Sequence, residues 1–471
     1  MNVTSITDSH PRPVSINPDR FTATAVSGLI PIAHLANRLG LLQPALDYLG
    51  KAYPAKHNTL VSAQAMFKLR LFGLVAGYED LNDHDSLCND PGFKASLGSA
   101  RMAGGSNLCR FENRFTREDV DGMNQTLLDA FSIANSRLQL LPKVSPGKKR
   151  FIYLDVDSTH VDLYGNQEKK SYNGHYQCCC LAPVVCYLHG YPIAVYGAAG
   201  TSDARKVLEH HFVRLHQRLV AMFPDYIIAL RGDAGFNSIT LIDYCERHRV
   251  PYITGLSPNK VSKKRKIRNQ KRQTVKRFTA DGTAVKITGN IDYRAKTWTN
   301  DRRVVARKLF DKQRSQMDLR LIQTNIVHTT DINNPGYFGA LSAKTDDDLY
   351  SVAYCGRGNA ERWIGEFKTD CFGARASAKK FTTNCYRFVL AMYCQLLLKV
   401  ARFAQMACLR SHGKSKKPVK EKTVRLFRRD VICVTAKYHE TAEGIELTLP
   451  AHLHDETGYM AMIEVGRIAM A

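Results

Sequence analysis

The sequence predicts a mixed α/β protein: a sheet of mixed strand direction covered by helices and preceded by a helical region. Three observations predict it. Apolar residues recur at helical spacing up to about residue 145, a polar linker PKVSPGKKR follows, and β-rich runs then alternate with helical ones.

Taken in order, residues 1–20 are polar and read as a flexible lead. Ile32, Leu35, Leu39 and Leu42 have the spacing of one helix face. Val61, Ala65, Leu69, Phe72 and Ala76 define a longer helix over 59–76. Asp90-Pro91-Gly92 and Gly104-Gly105 break further short helices, and Ser106 or Asn107 is placed to cap one. With Arg101, Arg110, Arg114 and Arg117, this region (1–148) fits either a DNA-binding module or a plain helical bundle.

After the linker, FIYLDVDST, HYQCCCLAPVVCYL and YPIAVYG read as three strands. A helix over 203–223, the strand YIIALRGD, a helix over 237–248 and the strand VPYITGL complete a first core segment, 149–256. The segment 257–345 contains, at 260–277, ten Lys or Arg and no acid. It continues in alternating runs (AVKITGNIDYRAKTW, RRVVARKLF, LRLIQTNIV) that read as β-hairpins. The segment 346–410 is helical, with Val389, Tyr393, Leu396, Val400 and Phe403 in one stripe. The last segment, 411–471, is a basic stretch followed by a terminal hairpin from DVICVTAKY and GIELTLP.

The chain has 471 residues, 44% hydrophobic and 23% charged, which is ordinary for a globular protein. Its charge balance is not: 67 Lys and Arg against 43 acids give +24. Such an excess favours a polyanionic partner through counterion release, although ribosomal proteins and membrane-surface binders share it. The N-terminus lacks the apolar centre of a signal peptide, and no apolar run approaches the ~20 residues needed to span a bilayer, so no membrane partner is expected. Thirteen cysteines, including the trio Cys178-Cys179-Cys180, suggest a reducing cytoplasm rather than a disulfide framework. His175, Cys178, Cys180, Cys186 and His189 lack the paired clusters of a zinc site and fall on predicted strands. His160 and His175 lie within reach of the acids below in sequence, yet read more simply as structural histidines.

The chemistry lies in carboxylates. Strand alternation in FIYLDVDST places Phe151, Tyr153, Asp155 and Asp157 on one face and Ile152, Leu154 and Val156 on the other. Asp233 ends YIIALRGD, where sites gather in α/β sheets. Alone, each of these aspartates caps a turn more often than it catalyses. On an ideal helix Tyr354, Arg357, Glu361 and Lys368 point to about 0°, 300°, 340° and 320°, a shared arc of about 60°. A carboxylate among cations suits a metal beside a phosphate backbone. Phosphodiester chemistry with two divalent ions about 4 Å apart needs such oxygen ligands.

Tyr354-x2-Arg357-x3-Glu361-x6-Lys368 resembles the Y-(2)-R-(3)-E-(6)-K signature of insertion-sequence-4-like DDE transposases. LDVDST, LRGDAGF and ERWIGEFKTD resemble the insertion-sequence-1380 branch. The resemblance covers residues 25–460, most sharply 150–256 and 350–400. It implies a ribonuclease-H-like core in two parts, 149–256 and 346–410, with a β-rich insertion over 257–345. It also implies an N-terminal DNA-binding region and two Mg²⁺ ions, with Mn²⁺ as a substitute, held by three acids. Those map to Asp157, which precedes Ser158-Thr159, to Asp233 and to Glu361, with Asp155 as second choice for the first. Glu366 points about 140° from Glu361 and is set aside. Tyr354, Arg357 and Lys368 would handle phosphate, as would Lys263, Lys264, Arg265, Lys266 and Arg268 of the basic run. Trp298, alone of its kind in the insertion, would stack on a flipped base. The implied partners are double-stranded DNA, as element ends and target, and a second copy of the chain. The implied function is cut-and-paste transposition, with a nuclease lacking strand transfer and a transposase-derived repressor as alternatives.

Overall fold

In the strand Arg150–Ser158 (β1) the predicted alternation holds: Ile152, Leu154 and Val156 are buried, and Phe151 and Tyr153 pack on the opposite face. The computed structural model describes residues 21–98, 101–257, 265–281, 284–310, 318–327, 345–411 and 420–468, with the short strands Thr4–Ile6 and Val14–Ile16. Those two strands pair antiparallel within the expected flexible lead. The chain divides into two compact units, one of residues 39–54 and 110–400, the other of 1–38, 55–109 and 401–471. The expected N-terminal region 1–148 therefore contributes to both.

The larger unit is built on one eight-stranded sheet. With Val184–Leu188 as β2, Tyr191–Tyr196 as β3, Tyr226–Gly232 as β4 and Tyr252–Leu256 as β5, the order β3-β2-β1-β4-β5 forms its core. The first three strands are antiparallel neighbours, whereas β4 lies parallel to β1 and β5 parallel to β4. That is the mixed, ribonuclease-H-like arrangement expected. The predicted strand HYQCCCLAPVVCYL splits at Pro183, which cannot donate to a ladder. Cys178–Leu181 leaves to pair with Val161–Asp162 and Ser171–Asn173 in a small separate sheet.

The insertion extends this same sheet. Val285–Tyr293 (β6), Arg302–Phe310 (β7) and Asp318–Thr324 (β8) follow in the order β6-β7-β8-β5. The described part of the basic run belongs to a helix, Arg265–Asp281. Ile267 packs into a cluster with Ile291, Tyr293, Val304, Ala306 and Leu321, and Thr274 is buried, while Arg268, Arg272 and Lys276 stay exposed. One apolar stripe thus holds a strongly charged helix, because its cations lie on the other side.

Helices fix the rest. Arg117–Leu138 starts with a capping box from Thr116 and Asp119, and its Asn124 amide bonds both backbone groups of Val195 in β3 at 2.8 and 2.9 Å. The helix Phe381–Ser411 is long and apolar enough to cross a membrane by length and composition, yet 89% of its most apolar stretch is buried inside the protein, as in a core helix.

In the smaller unit, Ser62 caps Ala63–Ala76 and Gly77 ends it with φ 102°. The helix begins four residues later than the spacing suggested, and every residue from Leu69 to Ala76 is buried, so it is a core helix rather than an amphipathic one. Ala436–Thr441 and Gly444–Thr448 form the terminal hairpin, joined by Ala23–Thr24. The residues Asp430–Ile432, expected in that hairpin, are helical instead.

Candidate active site

Three segments carry the acids. Strand β1 runs in register with β4 so that Asp155 pairs with Arg231 and Val156 with Gly232. One step further, at both strand ends, come Asp157 and Asp233. The third segment, 349–370, starts with Leu349, Tyr350 and Ala353 packed on Ile253, Val305, Ile322 and Ile326 of the sheet region. Deeper in, the carbonyl of Trp363, two residues past Glu361, accepts from the Tyr187 hydroxyl (3.2 Å) and the Gln395 amide (2.8 Å). Both donors are buried, which pins the glutamate's helix between β2 and the long helix.

Asp157 is 14% exposed in its side chain. Its Oδ1 accepts from the Ser158 amide at 2.9 Å, and its Oδ2 from Arg357 Nη1 at 3.0 Å. Burial, then repulsion from Asp233, push its carboxyl up to about 6 against the pull of Arg357, with Glu361 adding a smaller push. Burial opposes the charge on Arg357, but Asp157, Tyr354, Asp233 and Glu361 together raise its affinity for the proton. All three acids thus act electrostatically on one guanidinium. Asp233 Oδ1 accepts from the Gly235 amide at 2.8 Å, so it caps the next turn as well as facing the site. Glu361 is exposed.

Asp155 is different. It is 1% exposed and held by Arg231 through Nε (2.5 Å) and Nη2 (2.9 Å). A carboxylate whose two oxygens are both taken by a buried guanidinium is unsuited to bind a metal, whereas Asp157 gives only one oxygen to a cation.

The four signature residues do not share one ideal helix face. Segment 349–370 passes from a π turn (Leu349–Tyr354) through a 3₁₀ turn (Cys355–Gly358) and an α-helix (Asn359–Gly365) to a second π turn (Glu366–Asp370). Rotation per residue is about 120° in the 3₁₀ turn and below 100° in the π turns, so a constant 100° fails over fourteen residues. Tyr354 and Arg357 still come to the aspartates: Arg357 bonds Asp157, and burial raises the Tyr354 hydroxyl, Arg357 lowers it and Asp233 raises it. Burial lowers the affinity of the Lys368 amine for its proton, and the groups acting on it are Asp162, Cys178 and Cys180 of the small sheet.

Trp298 packs against the insertion's apolar cluster, edge-on to Tyr293 at 5.4 Å, with Arg302 4.7 Å over its ring. Lys263 and Lys264 lie outside the described residues; Arg265 and Lys266 open the basic helix, and Arg268 is exposed on it. Two residues escaped the sequence reading. Tyr176 lies tilted on His160 at 4.3 Å and edge-on to His175 at 4.9 Å; burial raises its hydroxyl, Ser158 lowers it, and Asp157 and Asp233 raise it further. No spacing signals it. Arg231 did leave a trace, as a charge inside an apolar strand two residues before Asp233.

Among the described residues no three His, Cys, Asp or Glu are gathered closely enough to hold a metal ion. The chemistry of the donors nevertheless fits a hard divalent ion: Asp157, Asp233 and Glu361 offer oxygen alone, and Asp157 gives one of its oxygens to Arg357.

A mixed sheet of this order with carboxylates at adjacent strand ends defines the ribonuclease-H-like class of nucleotidyl transferases and nucleases. The sequence pattern described as "Transposase DDE domain group 1" matches residues 8–467, and the chain belongs to that family; it is a DNA transposase of the DDE type, and the family implies dependence on a divalent metal. Among solved structures the chain is similar to the piggyBac transposase in a synaptic complex with hairpin DNA, at 12% identity over 85% of this chain and 79% of that one, with a TM-score of 0.39. No curated protein matches the chain.

Proposed function

We propose that this transposase moves its own insertion sequence by cut-and-paste, binding the terminal inverted repeats, cleaving strands and joining them to target DNA. Its subfamily would be the insertion-sequence-1380 branch of the insertion-sequence-4-like group. The observation that carries the proposal is the meeting of Asp157 and Asp233 at neighbouring strand ends with Glu361 and Arg357 in the same electrostatic field. Asp157, Asp233 and Glu361 would hold two Mg²⁺ ions. Bound there, divalent ions supply Lewis-acid stabilisation of the attacking and leaving oxygens.

The chain's own groups do the rest. Arg357 is bonded to Asp157 and would exchange that carboxylate for a phosphate oxygen when DNA enters, a competition between two anions for one guanidinium. Tyr354 orients that guanidinium, and Lys368 contacts the backbone further along. The basic helix supplies exposed phosphate contacts, and residues 1–148 read the repeats. A homodimer brings two ends together.

Supercoiled plasmid carrying the element ends, incubated with the protein and Mg²⁺, is expected to release the element, and a target plasmid to acquire it. Cleavage without joined products would instead indicate a nuclease. Binding without cleavage would indicate a repressor. Should Trp298→Ala leave cleavage and joining unchanged, base stacking by Trp298 is excluded.

A further inference from the structure

Arg231 is 6% exposed inside an apolar strand, and a guanidinium there is tolerated only where its donors are used. They are. Besides the two bonds to Asp155, Nη1 donates to the carbonyl of Ala353 at 2.6 Å, and the Tyr153 ring lies 4.0 Å from the guanidinium carbon. Arg231 and these partners together span the three segments that carry the acids. Asp155 stands two residues before Asp157 on β1, and Arg231 two before Asp233 on β4. Ala353 precedes Tyr354 in the segment that bears Arg357 and Glu361.

Residues two apart on a strand share a face, so locking Asp155 to Arg231 also sets the offset of Asp157 from Asp233. The bond to Ala353 adds the third segment. It falls where a π turn gives way to a 3₁₀ turn, the place where helical hydrogen bonding is least regular.

We propose that Arg231, held by Asp155, is a positioning residue that sets the distance of Glu361 from the Asp157–Asp233 pair and so tunes how the three acids take a divalent ion. The proposal rests on the acid assignment above. Arg231 touches neither metal nor DNA in this role; it acts through the backbone of three segments.

Gly356 offers a mild way to disturb it. A Cβ there would stand 2.8 Å from Arg231 Nη1, so Gly356→Ala displaces the flexible end of the guanidinium from Ala353 while every charge is kept. The test uses full-length wild type, Gly356→Ala, Arg231→Lys, Asp155→Asn and Asp157→Asn. Mn²⁺ binding to DNA-free protein is read by electron paramagnetic resonance, alongside affinity for end DNA and the Mg²⁺ concentration giving half-maximal cleavage. Gly356→Ala and Arg231→Lys are expected to weaken Mn²⁺ binding roughly 10–100-fold, the scale of losing an outer-shell partner, with DNA affinity unchanged. The Mg²⁺ requirement should rise in parallel. A merely structural role would lower stability and leave Mn²⁺ affinity of the folded protein untouched, and that result overturns the proposal. Should Asp155→Asn fail to fold, Gly356→Ala decides alone. Loss of Mn²⁺ in Asp157→Asn, with wild-type behaviour in Gly356→Ala and Arg231→Lys, removes only the positioning role. Equal Mn²⁺ binding by wild type and Asp157→Asn removes the acid assignment and this proposal with it.

Discussion

The Asp155–Arg231 pair and the Asp157–Asp233–Glu361 set lie two residues apart along the same strands, yet they treat charge in opposite ways. The inner pair is closed: one carboxylate, one guanidinium, each bonded to the other and nearly sealed from water. The outer set is open, with three carboxylates and one bonded cation, and burial and then Asp233 push the Asp157 carboxyl up to about 6. A balanced buried pair serves the fold. An unbalanced set at a strand end waits for positive charge from outside. Charge count and burial together separate the two.

The largest expected effect lies in the outer set. Asp157→Asn, Asp233→Asn and Glu361→Gln should each lower cleavage of end DNA on the order of 10⁴-fold, the scale of removing one member of a catalytic unit, while a mobility-shift assay shows DNA binding retained. Full activity in any of them would move that residue out of the set. The inner pair should answer in stability as well as in metal affinity. Asp155→Ala leaves Arg231 buried without its counter-charge and should cost about 3–5 kcal/mol in urea unfolding.

The same measurement on Asp157 should change sign. Its folded pKa of about 6 exceeds the ordinary carboxyl value of 3.8, so the native state binds this proton more tightly than the unfolded chain does. That contribution is fully present below about pH 4 and is lost as pH rises through 6. Asp157→Asn, a permanently neutral mimic, should therefore stabilise the metal-free protein by about 1–2 kcal/mol at pH 7.5, with the gain vanishing near pH 4. A destabilised Asp157→Asn would mean that the outer set is balanced after all.

The smallest effect concerns exposed charges on the basic helix. Replacing Arg268, Arg272 and Lys276 by Ala should flatten the salt dependence of DNA binding by a slope of about 2–3, at about 0.9 per phosphate contact, with little change in stability. An unchanged slope would make the basic helix a solvated face only.

Much of this was legible in the chain. Apolar alternation marked β1, and the charged residues at the ends of apolar strands marked Asp157 and Asp233, because such placements are costly without a partner. Spacing singled out Glu361 from Glu366. Other features were illegible for definite reasons. The helical face of the signature assumed one pitch, whereas the segment changes pitch three times. The cysteine-rich run looked like one strand, and Pro183 divides it between two sheets. The β-rich insertion was read as hairpins, with no signal that they would add to the edge of β5.

By itself the sequence determined the excess of cations, the acids on offer to a site and much of the order of strands and helices, all written in local spacing and composition. Only the tertiary structure decided which of two aspartates one pleat apart is sealed by a guanidinium and which remains open. Both lie on the same face of one strand, so periodicity cannot tell them apart. The distinction comes from a register with a second strand some seventy residues away, which brings Arg231 opposite Asp155.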